Sequence, residues 1–389
     1  MEIQVAKRLQ HTEEYYFSKK LREIDELNQS GKNIINLGIG SPDLPPHPDV
    51  IQTLNHSSQQ NNTHGYQSYK GAPQLREAIA KWYQNNYNVS VNSNTEVLPL
   101  IGSKEGIVHI CMTYLQEGDY ALIPNPGYPA YSSAVRITGA TPITYQLKEE
   151  NNWLVDFEEL EKLDLQKVKL MWINYPHMPT GTLANKDFFK QVIDFGKKHN
   201  ILICHDNPYS FILNKKPLSI LSIPEAIDVA IELNSLSKSL NMAGWRIGMM
   251  IANSQRINEV MRFKSNMDSG MFLPLQLAAA TALNLNKEWY EQLNESYAKR
   301  QEKVFKIMDL LNCTYDKNQV GLFVWAKVPK DYNDGYELSD KVLYDMNVFI
   351  TPGGIFGSGG NQYIRISLCA NEDVLDNAFS RINEFTNPK

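Results

Sequence analysis

The sequence predicts an α/β fold, a mainly parallel mixed sheet covered by helices, joined to a smaller α+β domain. Three observations predict it. Short apolar runs bounded by turn residues alternate with longer helical patterns from about residue 95 to 266, as parallel strands linked by crossover helices require. Beyond about residue 284 that rhythm stops, and a long charged amphipathic stretch leads into QVGLFVWAKV. The chain has 389 residues, more than one compact domain ordinarily holds, so a large and a smaller domain are expected.

The N-terminal stretch MEIQVAKRLQHTEEYYFSKKLREIDEL alternates charged and apolar residues at helical spacing and lacks the apolar core of a signal peptide, so no export is expected. INLGIGSPDLPP (35–46) reads as a Gly/Pro-rich crossing segment rather than a core strand. The candidate strands are TEVLPLI (95–101), YALIPN (120–125), VKLMWIN (168–174), ILICHD (201–206), VAIELNS (229–235) and RIGMMIA (246–252). Helical spacing fills 73–87, 104–116, 185–198 and 255–266. Later come a helix over 288–311, the strand QVGLFVWAKV, a helix near 335–346, and the runs VFITPG and YIRISL. Residues 48–283 are therefore expected to form the large domain, with 1–47 and 284–389 forming the small one.

Composition narrows the function. Hydrophobic residues make up 42% and charged residues 21%, with net charge −5 and no dense Lys/Arg cluster, which argues against a nucleic-acid partner. No segment approaches the roughly 18–20 apolar residues that a membrane span needs. Cys111, Cys204, Cys313 and Cys369 lie far apart and form no CxxC pair, which argues against a metal site or disulfide framework and fits a reducing cytoplasm.

Ligands of open α/β sheets sit beyond the carboxyl ends of the strands, so the residues that follow each strand are the first candidates. The first strand ends in Gly102-Ser103-Lys104-Glu105-Gly106 and runs into a helix, presenting free N–H groups to an anion. The fourth ends in Asp206 with Tyr209 following; the fifth ends in Ser235-Leu236-Ser237-Lys238, with Arg246 eight residues on. Singly, each has an ordinary structural reading: a helix cap, a turn former, a solvated lysine, a salt-bridging arginine. Together, a phosphate cradle, a carboxylate, a phenol and a lysine at one sheet edge suit pyridoxal phosphate. Its aldehyde condenses with an amine, its ring nitrogen needs an anion, and its phosphate needs hydroxyls, N–H groups and arginine. GIGSPD lacks the third glycine of a dinucleotide fingerprint, and no GxxxxGK or HExxH occurs.

SLSKSLNMAGWRIG (235–248) resembles, position by position, the lysine signature of the class I/II pyridoxal-phosphate aminotransferases of fold type I. The resemblance extends through LGIGSPD, GYQSYKGAPQLREAI, IGSKEG, NPGYPAY, PTG, DNPY, GLFVW and ITPGGIFG…YIRISL, nearly the whole chain. It implies amino transfer from an L-amino acid to a 2-oxo acid by a ping-pong mechanism, with Lys238 forming the internal aldimine and shuttling a proton. Asp206 would pair with the ring nitrogen, Tyr209 donate to the phenolic oxygen, and Tyr128 stack on the ring. Ser103, Lys104 through its N–H, Ser235, Ser237 and Arg246 would hold the phosphate, and Tyr66 would reach it across a homodimer interface. Arg365 would clamp the substrate carboxylate, with Gly40 and Asn174 beside it. An arginine in an apolar strand is costly without an anion, which supports that role independently. GSKEGI and NMDSGMF resemble most the branch with LL-diaminopimelate and aspartate-type aminotransferases.

One position departs from the family. Where its members carry an asparagine before Pro-Thr-Gly, this chain has Met178. A thioether cannot donate a proton, so the phenolic oxygen would lose one of two donors, and the aldimine would hold its proton to higher pH than after Met178→Asn. A water or a rotated Asn174 supplying the donor is the competing expectation. Two other functions share these residues: a pyridoxal-phosphate C–S lyase, and a cofactor-binding paralogue with weak catalysis.

Overall fold

The structure is a computed structural model that describes residues 3–9, 14 and 16–387. Part of the segment 11–25, on which substrate choice is expected to depend, lies outside the described residues at 11–13 and 15. The crossing segment contributes a short strand, β1 (Ile35–Asn36). Seven strands then form the main sheet: β2 (Val97–Leu100), β3 (Tyr120–Asn125), β4 (Thr141–Gln146), β5 (Val168–Asn174), β6 (Leu202–Asp206), β7 (Ala230–Ser235) and β8 (Gly248–Ile251). Their order is β2-β8-β7-β6-β5-β3-β4. Pairing is parallel from β7 through β4, and β8 runs antiparallel to both neighbours.

All six expected strands are present, trimmed at most by one or two residues at their ends. β4 was not among them, because TPITYQ is an edge strand with mostly part-exposed positions and a proline at Pro142, so it offers no apolar run. The buried strands read as expected: VLPL in β2, LICHD in β6 and AIELNS in β7 are buried at every position.

The crossover helices form for local reasons as well. Helix Lys186–His199 begins where the Asn185 side chain accepts from the Phe188 N–H at 2.8 Å, and ends at Asn200 in the left-handed region. It buries Phe188, Phe189, Val192, Ile193 and Phe195 against the sheet. Helices Pro48–Ser58, Pro129–Ile137, Leu273–Leu283 and Glu372–Thr386 were not anticipated. Leu273–Leu283 is apolar on all sides, so it shows little helical periodicity, and it packs against Pro48–Ser58 and Pro73–Tyr87.

The C-terminal region holds a smaller antiparallel sheet. Its strands are β9 (Thr314–Tyr315), β10 (Phe323–Lys327), β12 (Thr351–Pro352) and β13 (Tyr363–Ser367), ordered β12-β13-β10-β9, while β11 (Val348–Phe349) pairs with β1. Helices Lys287–Leu310 and Gly335–Met346 pack on this sheet, and Glu372–Thr386 packs against those two helices and β11. Arg300 clips the crossing segment to it, donating to both carboxylate oxygens of Asp43 at 2.6 and 3.0 Å and to the Leu368 carbonyl at 3.1 Å. Gly40 comes so close to Phe323 that a Cβ there would lie 2.3 Å from the ring. The crossing segment thereby passes between the small sheet and the carboxyl ends of β5, β6 and β7.

Candidate active site

Every candidate residue from the sequence except Tyr66 lines one cavity of about 310 Å³ at those carboxyl ends. Tyr66 lies outside it and is 95% exposed.

Asp206, the last residue of β6, is buried at the cavity wall. Its Oδ2 accepts from the Tyr131 hydroxyl at 2.9 Å, and its Oδ1 has no hydrogen-bond partner among the described residues. Burial pushes its carboxyl up to about 6, opposed by the Tyr131 bond. Tyr131 is itself fixed by stacking on Trp172, with centroids 5.1 Å apart and planes at 9°. Sequence reasoning missed Tyr131. It lies three residues after Tyr128, one helical turn on, but helix Pro129–Ile137 was not anticipated and the two were not placed together.

Lys238 follows β7 and reaches back so that Nζ donates to the Gly40 carbonyl at 2.6 Å. Burial holds its ammonium below the ordinary lysine value, and the charges of Arg365 and Arg246 act the same way. A lysine so placed lies nearer the neutral, nucleophilic amine.

At one end the cavity is an anion cradle. Gly102, at φ +80°, caps helix Ser103–Tyr114, and a Cβ there would lie 2.2 Å from Arg246 Nη2. Only glycine lets the guanidinium lie against the start of that helix. Ser235 Oγ donates to Ser237 Oγ at 2.9 Å, and Arg246 Nη1 to Ser237 Oγ at 3.5 Å. Helix N–H groups, two hydroxyls and a guanidinium converge as a phosphate requires, and Lys104 stands beside them.

At the other end, Arg365 of β13 is buried, with its guanidinium carbon 3.8 Å from the Phe323 ring centre and 4.6 Å from that of Phe356. Phe17 adds a third ring at 5.7 Å. Nη2 donates to the Gly38 carbonyl at 2.8 Å and Nη1 to Met178 Sδ at 3.3 Å. Met178 is buried, and its N–H donates to Asn174 Oδ1 at 2.8 Å. Asn174 Nδ2 in turn donates to the Asp206 carbonyl at 2.6 Å. Both ends of the Asn174 amide are thus committed to backbone, so rotating it toward a ligand breaks two buried bonds. Tyr209 lines the wall, its hydroxyl pushed well above the ordinary range by burial. The ring cage of Phe17, Phe323 and Phe356 was another omission, since aromatic residues in sequence read as core.

The sequence profile of the aminotransferase class I and II family matches residues 32–382. The chain belongs to that family. It is 38% identical over 385 residues to an LL-diaminopimelate aminotransferase of Dehalococcoides mccartyi, covering 98% of this chain and 99% of that one. A protein of the same description from Aquifex aeolicus is 37% identical over 382 residues, covering 98% of each chain. Among solved structures, apo-BacF from Bacillus subtilis superposes with a TM-score of 0.95 at 37% identity, covering 100% of this chain and 99% of that one. A Thermus thermophilus aspartate aminotransferase, at 20% identity, covers 98% and 99% with a TM-score of 0.90 and shows the shared fold.

Class I and II aminotransferases use pyridoxal 5′-phosphate, and the residues present fit it. The unpartnered Asp206 Oδ1 matches a protonated ring nitrogen, Lys238 an aldehyde, and the cradle at Gly102 a phosphate.

Asp206 makes a prediction for the cofactor-free protein. Its folded value lies above the ordinary 3.8, so its protonated form favours folding, and stability falls as pH rises through about 4 to 6. Asp206→Asn removes that loss. Thermal unfolding of the cofactor-free variant should show a gain over wild type of about 2–3 kcal/mol at pH 8 and little gain at pH 4. Equal stability at both pH values contradicts the shift.

Proposed function

We propose that this pyridoxal-phosphate aminotransferase works through the cavity at the carboxyl ends of β5, β6 and β7, on an L-amino acid and a 2-oxo acid. The observation that carries the reading is the buried, unpartnered Oδ1 of Asp206 in the same cavity as the Lys238 amine. The bound cofactor supplies an aldehyde for the amino group and a protonated ring that takes up the electrons released at the substrate α-carbon. Asp206, backed by Tyr131, keeps that ring nitrogen protonated. Lys238, whose ammonium form burial disfavours, gives up its bond to the Gly40 carbonyl and moves the proton to and from the α-carbon.

Ser103, the Lys104 N–H, Ser235, Ser237 and Arg246 hold the phosphate, while Tyr128 covers the ring and Tyr209 donates to the phenolic oxygen. Arg365, its planar guanidinium packed against the Phe323 and Phe356 rings, takes the α-carboxylate beside Gly40 and Asn174. The ring cage also strips water from the guanidinium, which strengthens a charge-assisted pair.

For the donor, the relatives named as LL-diaminopimelate aminotransferases make LL-diaminopimelate the first candidate. The cavity favours a second reading. Among the described residues its wall carries one carboxylate, Asp206, already assigned to the ring, and its remaining wall includes Phe17, Ile39, Phe323 and Phe356. That lining suits an apolar side chain better than a distal ammonium. Adding each donor alone to the cofactor-loaded protein should bleach the visible absorbance stoichiometrically, with recovery on adding 2-oxoglutarate or pyruvate. The donor with the highest kcat/KM chooses between the readings, and Lys238→Ala should lower the rate by at least about 10²-fold. Sustained ammonia release without a 2-oxo acid points instead to elimination.

Met178 tunes the site. With no donor at that position, and with Asn174 held by backbone at Oδ1 and through one Nδ2 hydrogen, the phenolic oxygen has one donor fewer and leans on Tyr209. Met178→Asn should lower the pH midpoint of the bound cofactor's visible absorbance by roughly half to one unit, the worth of one hydrogen bond. An unchanged or raised midpoint contradicts it.

We also infer a homodimer with shared active sites in the cytoplasm. Tyr66, Tyr69, Met267 and Phe272 are exposed, and the 64–69 and 267–272 segments touch through the His64 and Phe272 rings. Such a patch, next to the phosphate cradle, suits a second copy of the chain. The four cysteines are free and buried, and among the described residues no helix is long and apolar enough to cross a membrane. Sedimentation equilibrium should give twice the chain mass, and Tyr66→Glu should weaken association. A monomer at micromolar concentration contradicts the shared site.

A further inference from the structure

The glycine-rich turn GGIFGSGG (353–360) joins β12 to β13 and closes onto Asn125, the buried last residue of β3. Asn125 Nδ2 donates to Ser358 Oγ at 2.9 Å, and the Gly359 N–H donates to Asn125 Oδ1 at 2.9 Å. A backbone N–H only donates, so the amide oxygen faces Gly359 and the amide nitrogen faces Ser358. Two residues on, the Gly127 N–H donates to the Phe356 carbonyl at 2.8 Å.

Two glycines make this approach possible. Gly357 holds φ +123°, and a Cβ there would lie 2.2 Å from Asn125 Oδ1; at Gly359 one would lie 3.0 Å from the Asn125 carbonyl oxygen. A side chain at 357 would therefore drive the turn off the strand end. On the side of the main sheet, the Asn125 carbonyl accepts from the Leu147 N–H at 2.8 Å, so the residue that the turn grips is itself held in place.

Each half of this clasp carries a wall of the cavity. Three residues after Asn125 stands Tyr128, and two before Ser358 stands Phe356, whose ring centre lies 4.6 Å from the Arg365 guanidinium carbon. We propose that Asn125 is a positioning residue. Its bonds to Ser358 and Gly359 set the distance between the Tyr128 face, where the cofactor ring lies, and the Arg365 guanidinium, where the substrate carboxylate docks. A small amino acid engages both ends at once only where their spacing already matches its own, so a fixed spacing appears as affinity for substrate. The phosphate cradle is built from the ends of β2, β7 and β8 and makes no contact with the clasp through these bonds. The inference rests on the proposed function, in which Tyr128 covers the ring and Arg365 takes the carboxylate.

Steady-state kinetics on the cofactor-loaded protein test it, with the better of LL-diaminopimelate and L-phenylalanine as donor and the better of 2-oxoglutarate and pyruvate as acceptor. Asn125→Ala should raise the KM of both substrates about tenfold, as the loss of one or two buried hydrogen bonds gives, while pyridoxal-phosphate affinity and kcat change by less than about threefold. A merely structural role would instead lower kcat and cofactor affinity at unchanged KM. Ser358→Ala, at an exposed position, removes one partner only and should raise KM about threefold. The double variant should be no worse than Asn125→Ala alone, because both substitutions remove the same bond. Unchanged KM in Ser358→Ala overturns the inference even if Asn125→Ala does not fold. Losses that add in the double variant, or lowered kcat and cofactor affinity at unchanged KM, overturn it as well. A wild-type protein that binds pyridoxal phosphate but transfers no amino group to either acceptor contradicts the proposed function, and this inference with it.

Discussion

A carboxylate sits at the end of a central strand, buried, with one oxygen tied to Tyr131 and the other without a partner among the described residues. An ionised group there would be expelled or neutralised unless something cationic completes it, and much of the surrounding structure is arranged around that requirement. Trp172 holds Tyr131, and Asn174 holds the Asp206 carbonyl. The parallel sheet delivers the pieces, since β5, β6 and β7 all end at one edge, where Asn174, Asp206 and Ser235 emerge within a few ångströms of a cavity.

The second organising constraint is close backbone approach. Gly102 and Gly248 let Arg246 and the start of helix Ser103–Tyr114 crowd together, and Gly40 lets the crossing segment pass against Phe323. The Arg300–Asp43 clip then fixes that segment to the small sheet, so that Lys238 has the Gly40 carbonyl as its resting partner and Arg365 has that of Gly38. Met178 belongs to the apolar cluster that contains Phe323, Trp325, Phe356 and Ile366, so this family departure is packed into the small-sheet core as well as facing the cavity.

Much of this was legible in the sequence, for definite physical reasons. Strands buried on both faces print as continuous apolar runs, so β5 and β6 were readable almost to the residue, while the half-exposed edge strand β4 and the uniformly apolar helix Leu273–Leu283 carry no periodic signal. Residues that follow strands could be listed as site candidates because parallel sheets place ligands there. What could not be read were partnerships across the fold. Tyr131 behind Asp206 and the rings around Arg365 join residues that only the folded topology brings together, and each side chain alone reads as ordinary core. Asn174 shows the same limit from the other side, because its place at the cavity was foreseen but its two bonds to backbone were not.

The most direct measurement is a crystal structure of the protein with pyridoxal phosphate bound. The ring nitrogen should lie within hydrogen-bond distance, about 2.7–2.9 Å, of Asp206 Oδ1, with continuous density from Lys238 Nζ to the ring and the phosphate against Ser235, Ser237 and Arg246. A ring turned so that its nitrogen faces away from Asp206, or density in a different cavity, contradicts the central claim.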